Sequence, residues 1–361
     1  MSSFQIFSRP QLVYLVFGPD TYHQEAVFSI ASALAHSRQP PGRAFDIQVF
    51  TDNCEPYRDL PVRVRPFDAH LRQQWSGPHG YHFRCKHMAA RTVLSESEQV
   101  ILIDTDTFFH SSPMQLFDRI KPDTLLCNAF TLRYSDCKDT VLYTALAETL
   151  AQRGLADDQM TLVNSGVIGL THNNMHILET SIALMDEFFA ITPGAITLEE
   201  FCLGVAAYRP LKIAQCPDLI HHYWSRKQLF RAKVRAWLSK HQHNPLCPKA
   251  LDDTANVSAR LPRPNTWQRL KYKSATLAVP KAQRQFVREL LYGCCEFPNE
   301  FDRACSQVWW EKAFDNARRR IGTPITAARL EQWLDHWAAR RLLGRQRTAI
   351  YQHLVKVQGV H

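Results

Sequence analysis

Along residues 12–220, short uninterrupted apolar runs alternate with stretches whose apolar positions recur every three or four residues. Leu12 to Phe17 (LVYLVF) is such a run, closed by Gly18-Pro19, and predicts a buried strand. Ala26, Val27, Ile30, Ala31 and Leu34 then fall on one face of a helix over Gln24 to His36. Ile47 to Phe50 predicts the next strand, Phe83 to Leu94 a helix, and Val100 to Ile103 another strand. Leu125 to Phe130, Leu162 to Leu170 and Ile213 to Ile220 read as further strands, with Asn174 to Phe189 helical. Strands that are apolar on both faces and alternate with helices imply an α/β fold, a mostly parallel sheet covered on both sides. Ligands of such sheets sit beyond the carboxyl ends of the strands, here after Phe17, Phe50 and Ile103.

The pattern changes near residue 245. Residues 245–264 are Pro-rich and polar and read as a linker or long loop between a body at 1–244 and a helical extension at 265–361. In the extension, Leu330, Trp333, Leu334 and Trp337 predict one face of a single helix, with Arg340-Arg341 near its end.

Charge sharpens this division. Residues 1–264 hold 26 Lys and Arg against 26 Asp and Glu, whereas 265–361 hold 17 against 8, the whole of the formal +9. A basic extension on a neutral body suits an anionic surface such as phospholipid headgroups, or else a solvated helical face. The hydrophobic share of 45% permits a sizeable core and argues against disorder. The ten cysteines include no CxxC pair, Met1 to Pro10 carries no apolar leader segment, and no run suffices for a membrane span. The expectation is a cytoplasmic protein with reduced thiols, with peripheral membrane contact left open.

Candidate chemistry centres on VILIDTDTFF, residues 100–109. Two carboxylates beside a buried strand repel one another and lose hydration, and a divalent cation relieves both penalties. Mg²⁺ or Mn²⁺ would take oxygens from Asp104 and Asp106 and complete its shell with phosphate oxygens and water.

A strand ending in Asp-X-Asp, after a helix carrying Lys86, resembles the nucleotide-diphospho-sugar transferases of the Rossmann-like GT-A fold. It is most similar to family 8 glycosyltransferases, over about residues 12–230. The resemblance implies that Phe17, Gly18 and Tyr22 in the first loop, and Thr51 and Asp52 in VFTDN, hold the base and ribose. Lys86 would approach ribose or phosphate, Asp104 ribose and metal, and Asp106 the metal. VNSGVIGL resembles the strand that faces the donor sugar, which implicates Asn164, Ser165 and Gly166. Leu198-Glu199-Glu200-Phe201 lies where the family has an Asp-Gln pair, so Glu199 or Glu200 would supply the carboxylate, with no Gln following. LIHHYWSRK resembles the closing segment whose His is the third metal ligand. His222 matches the His-Tyr step and His221 the spacing to Lys227, which would touch the diphosphate.

What the resemblance implies is a metal-dependent, retaining hexosyltransferase with Mn²⁺ or Mg²⁺, a UDP-sugar donor and a glycan or lipid-linked acceptor. A sugar-nucleotide nucleotidyltransferase is the alternative, but GPDTYHQE lacks the Gly-rich phosphate loop it would need. A protein binding nucleic acid or another anionic surface would explain the extension and leave the acidic pair without a role.

Overall fold

The computed structural model describes residues 9–38, 44–225 and 227–358, so the leader reading over Met1 to Pro10 lies almost wholly outside the described residues. Nine strands are present among them: β1 Gln11–Val16, β2 Asp46–Thr51, β3 Arg63–Pro66, β4 Gln99–Ile103, β5 Thr107–Phe109, β6 Thr124–Arg133, β7 Thr161–Thr171, β8 Lys212–Gln215 and β9 Ile220–His222. Seven form one sheet in the order β3-β2-β1-β4-β7-β6-β8, while β5 and β9 pair separately. Within the large sheet β7 alone runs antiparallel to its neighbours, so the sheet is mostly parallel, as the continuous apolar runs predict. The fold is α/β and Rossmann-like.

The register positions the site. Val16 aligns with Thr51 and Tyr14 with Ile103, so β1, β2 and β4 end at a common edge. That edge carries Phe17, Gly18, Asp52 and Asp104. One core is built where the helices Arg84–Leu94, Met175–Phe188 and Leu198–Tyr208 pack together, with Val93, Ile177, Leu184, Phe201 and Leu203 buried. Each fully buried side chain of this size contributes about 1.5–3 kcal/mol.

Contacts divide the chain into two compact units, 1–224 with 243–254, and 225–242 with 255–361. The helix Lys227–His241 thus belongs with the C-terminal helices, although it precedes residue 245 in sequence. The Pro-rich segment is structured: Pro248–Thr254 is a helix against Asp20–Ala35, with Ala250 and Leu251 buried. The second unit is helical among the described residues and buries Phe286, Leu290, Phe314, Leu330, Trp333, Leu334 and Leu354.

Two local expectations need correction. Residues 213–220 form no single strand, because a turn at Cys216–Leu219 separates β8 from β9. Trp337 does not share a helix face with Leu330, Trp333 and Leu334. The helix Ala327–Asp335 stops where His336 turns extended (ψ 129°), and the His336 ring accepts from Ala338 N–H to cap a new helix, Trp337–Leu343. Leu330 and Leu334 are fully buried and Trp337 is exposed.

Candidate metal centre

Asp104 leaves β4 at the sheet edge, and its backbone N–H donates to Gly166 O at 3.0 Å. The following loop is tied down from within. Thr107 Oγ1 donates to Asp104 O at 2.8 Å and meets Ser29 Oγ at 3.0 Å, and Tyr223 N–H donates to Asp106 O at 3.0 Å. Strand β5 then pairs with β9, Thr107 opposite His222 and Phe108 opposite His221. Successive side chains of a strand point to opposite faces, so only one of the two histidines can turn toward the carboxylates. It is His222. Its Nε2 lies 3.3 Å from Asp106 Oδ1 and 3.8 Å from Asp104 Oδ2. The His221 ring packs instead near Phe108 and His110, with centroids 5.2 and 6.0 Å away.

Asp104, Asp106 and His222 offer one ligand atom each within 4.8 Å of one another. Ligands at adjacent positions around a Mn²⁺ or Mg²⁺ ion stand roughly 3 Å apart, so two oxygens and an imidazole in this arrangement fit such an ion. The imidazole is oriented for it. Asn164 Oδ1 accepts from Gly166 N–H at 3.2 Å, which marks that end of the amide as oxygen. His222 Nδ1, 2.8 Å from the same oxygen, must therefore be the protonated nitrogen. That bond fixes the ring with Nε2 turned toward the carboxylates, the support a metal-binding histidine usually has.

Gly166 makes room for that ring. A Cβ there would stand 2.2 Å from His222 Nδ1. Between Cys127/Ile168 and Ala129/Asn164 the β6–β7 register advances two residues on β6 and four on β7, so the Asn-Ser-Gly segment is a bulge as well as a set of contacts. Bulges re-aim side chains in this way.

Behind the triad lies a second group of charges. Lys86 Nζ is 2.9 Å from Asp104 Oδ1 and 3.6 Å from Glu199 Oε2, and donates to Ser165 O and Oγ, both at 3.1 Å. Burial would lower the Lys86 pKa, but Asp104 and Glu199 outweigh it and hold the ammonium charged. Glu199 is buried, accepts from His87 Nε2 and Ser165 Oγ, each at 2.8 Å, and donates its backbone N–H to Tyr81 Oη at 3.1 Å. Burial disfavours its charge, while Lys86, His87 and Ser165 hold its pKa below the ordinary carboxylate value. Glu200 differs. It lines a cleft beside Asn164, whose Nδ2 is 3.4 Å from Glu200 Oε2, and burial followed by the Glu199 charge pushes its pKa up to about 7.

At the sheet edge, Asp52 accepts from Gly18 N–H at 2.9 Å and faces His23 Nε2 at 3.3 Å, with His23 Nδ1 at 3.0 Å from Tyr57 Oη. Gly18 has φ 97°, a conformation that favours glycine. Thr51 is buried, its hydroxyl donating to Asn53 O, while Tyr22 is exposed. Lys227 opens a helix of the second unit.

Sequence reasoning missed His87, Tyr81, His23 and Tyr57. His87 had a signal, since it adjoins Lys86 and is a polar residue on the inner face of its helix. The others meet their partners only through the fold.

No family model and no curated protein matches the chain. Among solved structures it is similar to the apo structure of WbbM, a bifunctional glycosyltransferase, at 13% identity and TM-score 0.40. The match covers 59% of this chain and 39% of that one, so the chain spans about two fifths of that protein's length. A likeness this distant says nothing of chemistry.

Proposed function

We propose that the chain is a metal-dependent glycosyltransferase that moves a hexose from a UDP-sugar to an acceptor hydroxyl. The observation that supports this most is the convergence of Asp104, Asp106 and an Asn164-oriented His222 at the carboxyl edge of a parallel sheet. A divalent cation held there, Mn²⁺ by preference for its tolerance of imidazole, would neutralise charge developing on the departing diphosphate. The residues then have separable tasks. Phe17, Gly18, Tyr22, Thr51 and Asp52 border the place for base and ribose. Lys86 brings a held positive charge to Asp104 and toward the phosphates. Glu199, locked by His87 and Ser165, positions Lys86 and Ser165 rather than touching substrate. In the transfer, the bond from the sugar C1 to the diphosphate oxygen breaks with its electrons on UDP, and C1 bonds to the acceptor oxygen. The acceptor's proton goes to a neighbouring base, for which Glu200 is the candidate. Retention at C1 is the outcome expected from the family resemblance.

The test is metal-dependent hydrolysis across a panel of UDP-sugars, wild type beside Asp106→Ala. One sugar should be hydrolysed with Mn²⁺, and Asp106→Ala should reduce the rate by about 10³-fold, the scale of a lost charge-stabilising group. Absence of metal-dependent hydrolysis or binding for every UDP-sugar would overturn the reading.

For the second unit we propose contact with an anionic membrane surface. On the helix Thr266–Ala275 and just after it, Trp267 (82% exposed), Leu270 and Leu277 face outward, with Arg269, Lys271 and Lys273 beside them. Outward apolar groups set among cations suit a lipid interface. Sedimentation with phosphatidylglycerol vesicles, lost in Trp267→Glu and in high salt, is the expected result; equal sedimentation with neutral vesicles would refute it.

A further inference from the structure

The cleft beside Glu200 has a volume of about 500 Å³ and lies within the first unit. It neighbours the Asp104-Asp106-His222 cluster through Asn164, which lines it and whose amide joins His222 on one side to Glu200 on the other. Its apolar walls come from Val141, Leu142, Leu162, Ile196, Phe201 and Trp224. Glu200 is the one charged side chain in the described lining. Ile196 is 75% exposed, Trp224 62% and Val141 43%, so the rim offers apolar surface that nothing in the described unit covers.

A site that held only a hydrated oligosaccharide would be lined by hydrogen-bonding groups along its length. In this one the hydroxyls of Thr131, Tyr134 and Thr140 already donate to backbone carbonyls, so Asn164 and Glu200 carry most of the polar recognition among otherwise apolar walls. An anionic group in the cleft would also meet the Glu200 carboxylate. We infer that the cleft is an acceptor subsite for an amphipathic glycoside, the sugar hydroxyl at Asn164 and Glu200 and an uncharged alkyl or aryl aglycone between Val141, Ile196 and Trp224. This deepens the transferase reading and rests on it for the name acceptor, while the apolar recognition can be measured without any donor.

The experiment titrates the full chain by calorimetry with methyl, butyl and octyl β-D-glucosides and galactosides below their micelle concentrations. Affinity should climb by about fourfold for each methylene seated in the cleft, the amount expected for removing that group from water. Val141→Asp and Ile196→Asp, both at exposed positions that tolerate a polar side chain, should flatten the series, with unchanged thermal melts as the check on folding. Equal affinity for methyl and octyl glycosides would overturn the inference. So would a chain-length slope that survives in both variants, because the alkyl group would then bind elsewhere. Failure of the transferase reading is a separate result: a steep series that collapses in the variants, with no UDP-sugar hydrolysed, keeps the apolar glycoside site and removes only its role as acceptor site.

Discussion

Each unit withdraws a lysine from solvent, Lys233 completely and Lys86 in large part, and the two are used differently. Lys233, in the second unit, has no exposed surface and sets its three N–H groups among four oxygens: Ser258 O at 3.0 Å, Ser258 Oγ at 2.9 Å, Arg260 O at 3.0 Å and Asp302 Oδ1 at 2.6 Å. One charge meets one carboxylate, and the rest of its valence ties a loop to a helix. Lys86 meets two carboxylates, Asp104 and Glu199, and through Asp104 its network runs on to His222 and Asp106. The first arrangement consumes a charge to hold structure. The second leaves negative charge gathered at a sheet edge, where a cation can be taken up. Burial of a lysine therefore identifies nothing by itself; the ratio of carboxylates around it does.

If this contrast is right, the largest effect comes from the metal side. Asp106→Ala should lose Mn²⁺ affinity by about 10³-fold while its melting temperature without metal stays near wild type. Calorimetric titration with Mn²⁺ measures the first, and a wild type that binds no Mn²⁺ would erase the distinction between the lysines. Next is Lys233→Met. Removing one partner of a buried pair strands the other charge, at about 3 kcal/mol. Denaturant unfolding should show that loss, and a variant as stable as wild type would mean the Lys233 cage is not structural. Asn164→Ala should weaken Mn²⁺ binding by about 10–100-fold, the usual cost of losing the group that orients a metal-binding histidine; undiminished affinity would remove Asn164 from that role.

The smallest effect concerns Glu200, whose pKa is raised to about 7 by burial and by the Glu199 charge. The folded state then holds a proton that the unfolded chain releases near its ordinary value. Stability should fall as pH rises from about 4.5 toward 7, and level off above, for this group alone. Glu200→Gln should flatten that slope in melts taken from pH 5 to 8. A steeper fall in the variant would contradict the sign.

Much of this was legible from residue order. Val100–Ile103 is apolar on both faces and followed by Asp-X-Asp, so a central strand delivering two carboxylates to a ligand edge could be read without coordinates. The alternatives at the two histidines could not be, because their identities are equal and only pairing with β5 decides which one turns inward. The helix expected through Trp337 failed for a related reason. Spacing of apolar residues reports a face, but His336 ends the helix with a local cap that competes with it. The Asn-Ser-Gly segment was expected to face a donor sugar; what register adds is a bulge there, from which Asn164 reaches both His222 and Glu200.

By itself, then, the sequence determined the layer architecture, the acidic pair and the basic surplus of the extension, since each depends on local pattern or composition. Tertiary structure decided the choice of His222, the Asn164 link between the candidate metal centre and the cleft, and the inward Glu199 against the cleft-facing Glu200. Those choices turn on strand register, on which face a side chain occupies, and on groups far apart in the chain meeting at hydrogen-bond distance. No local pattern encodes such meetings, because they come into being only when β7 pairs between β4 and β6 and β9 pairs with β5.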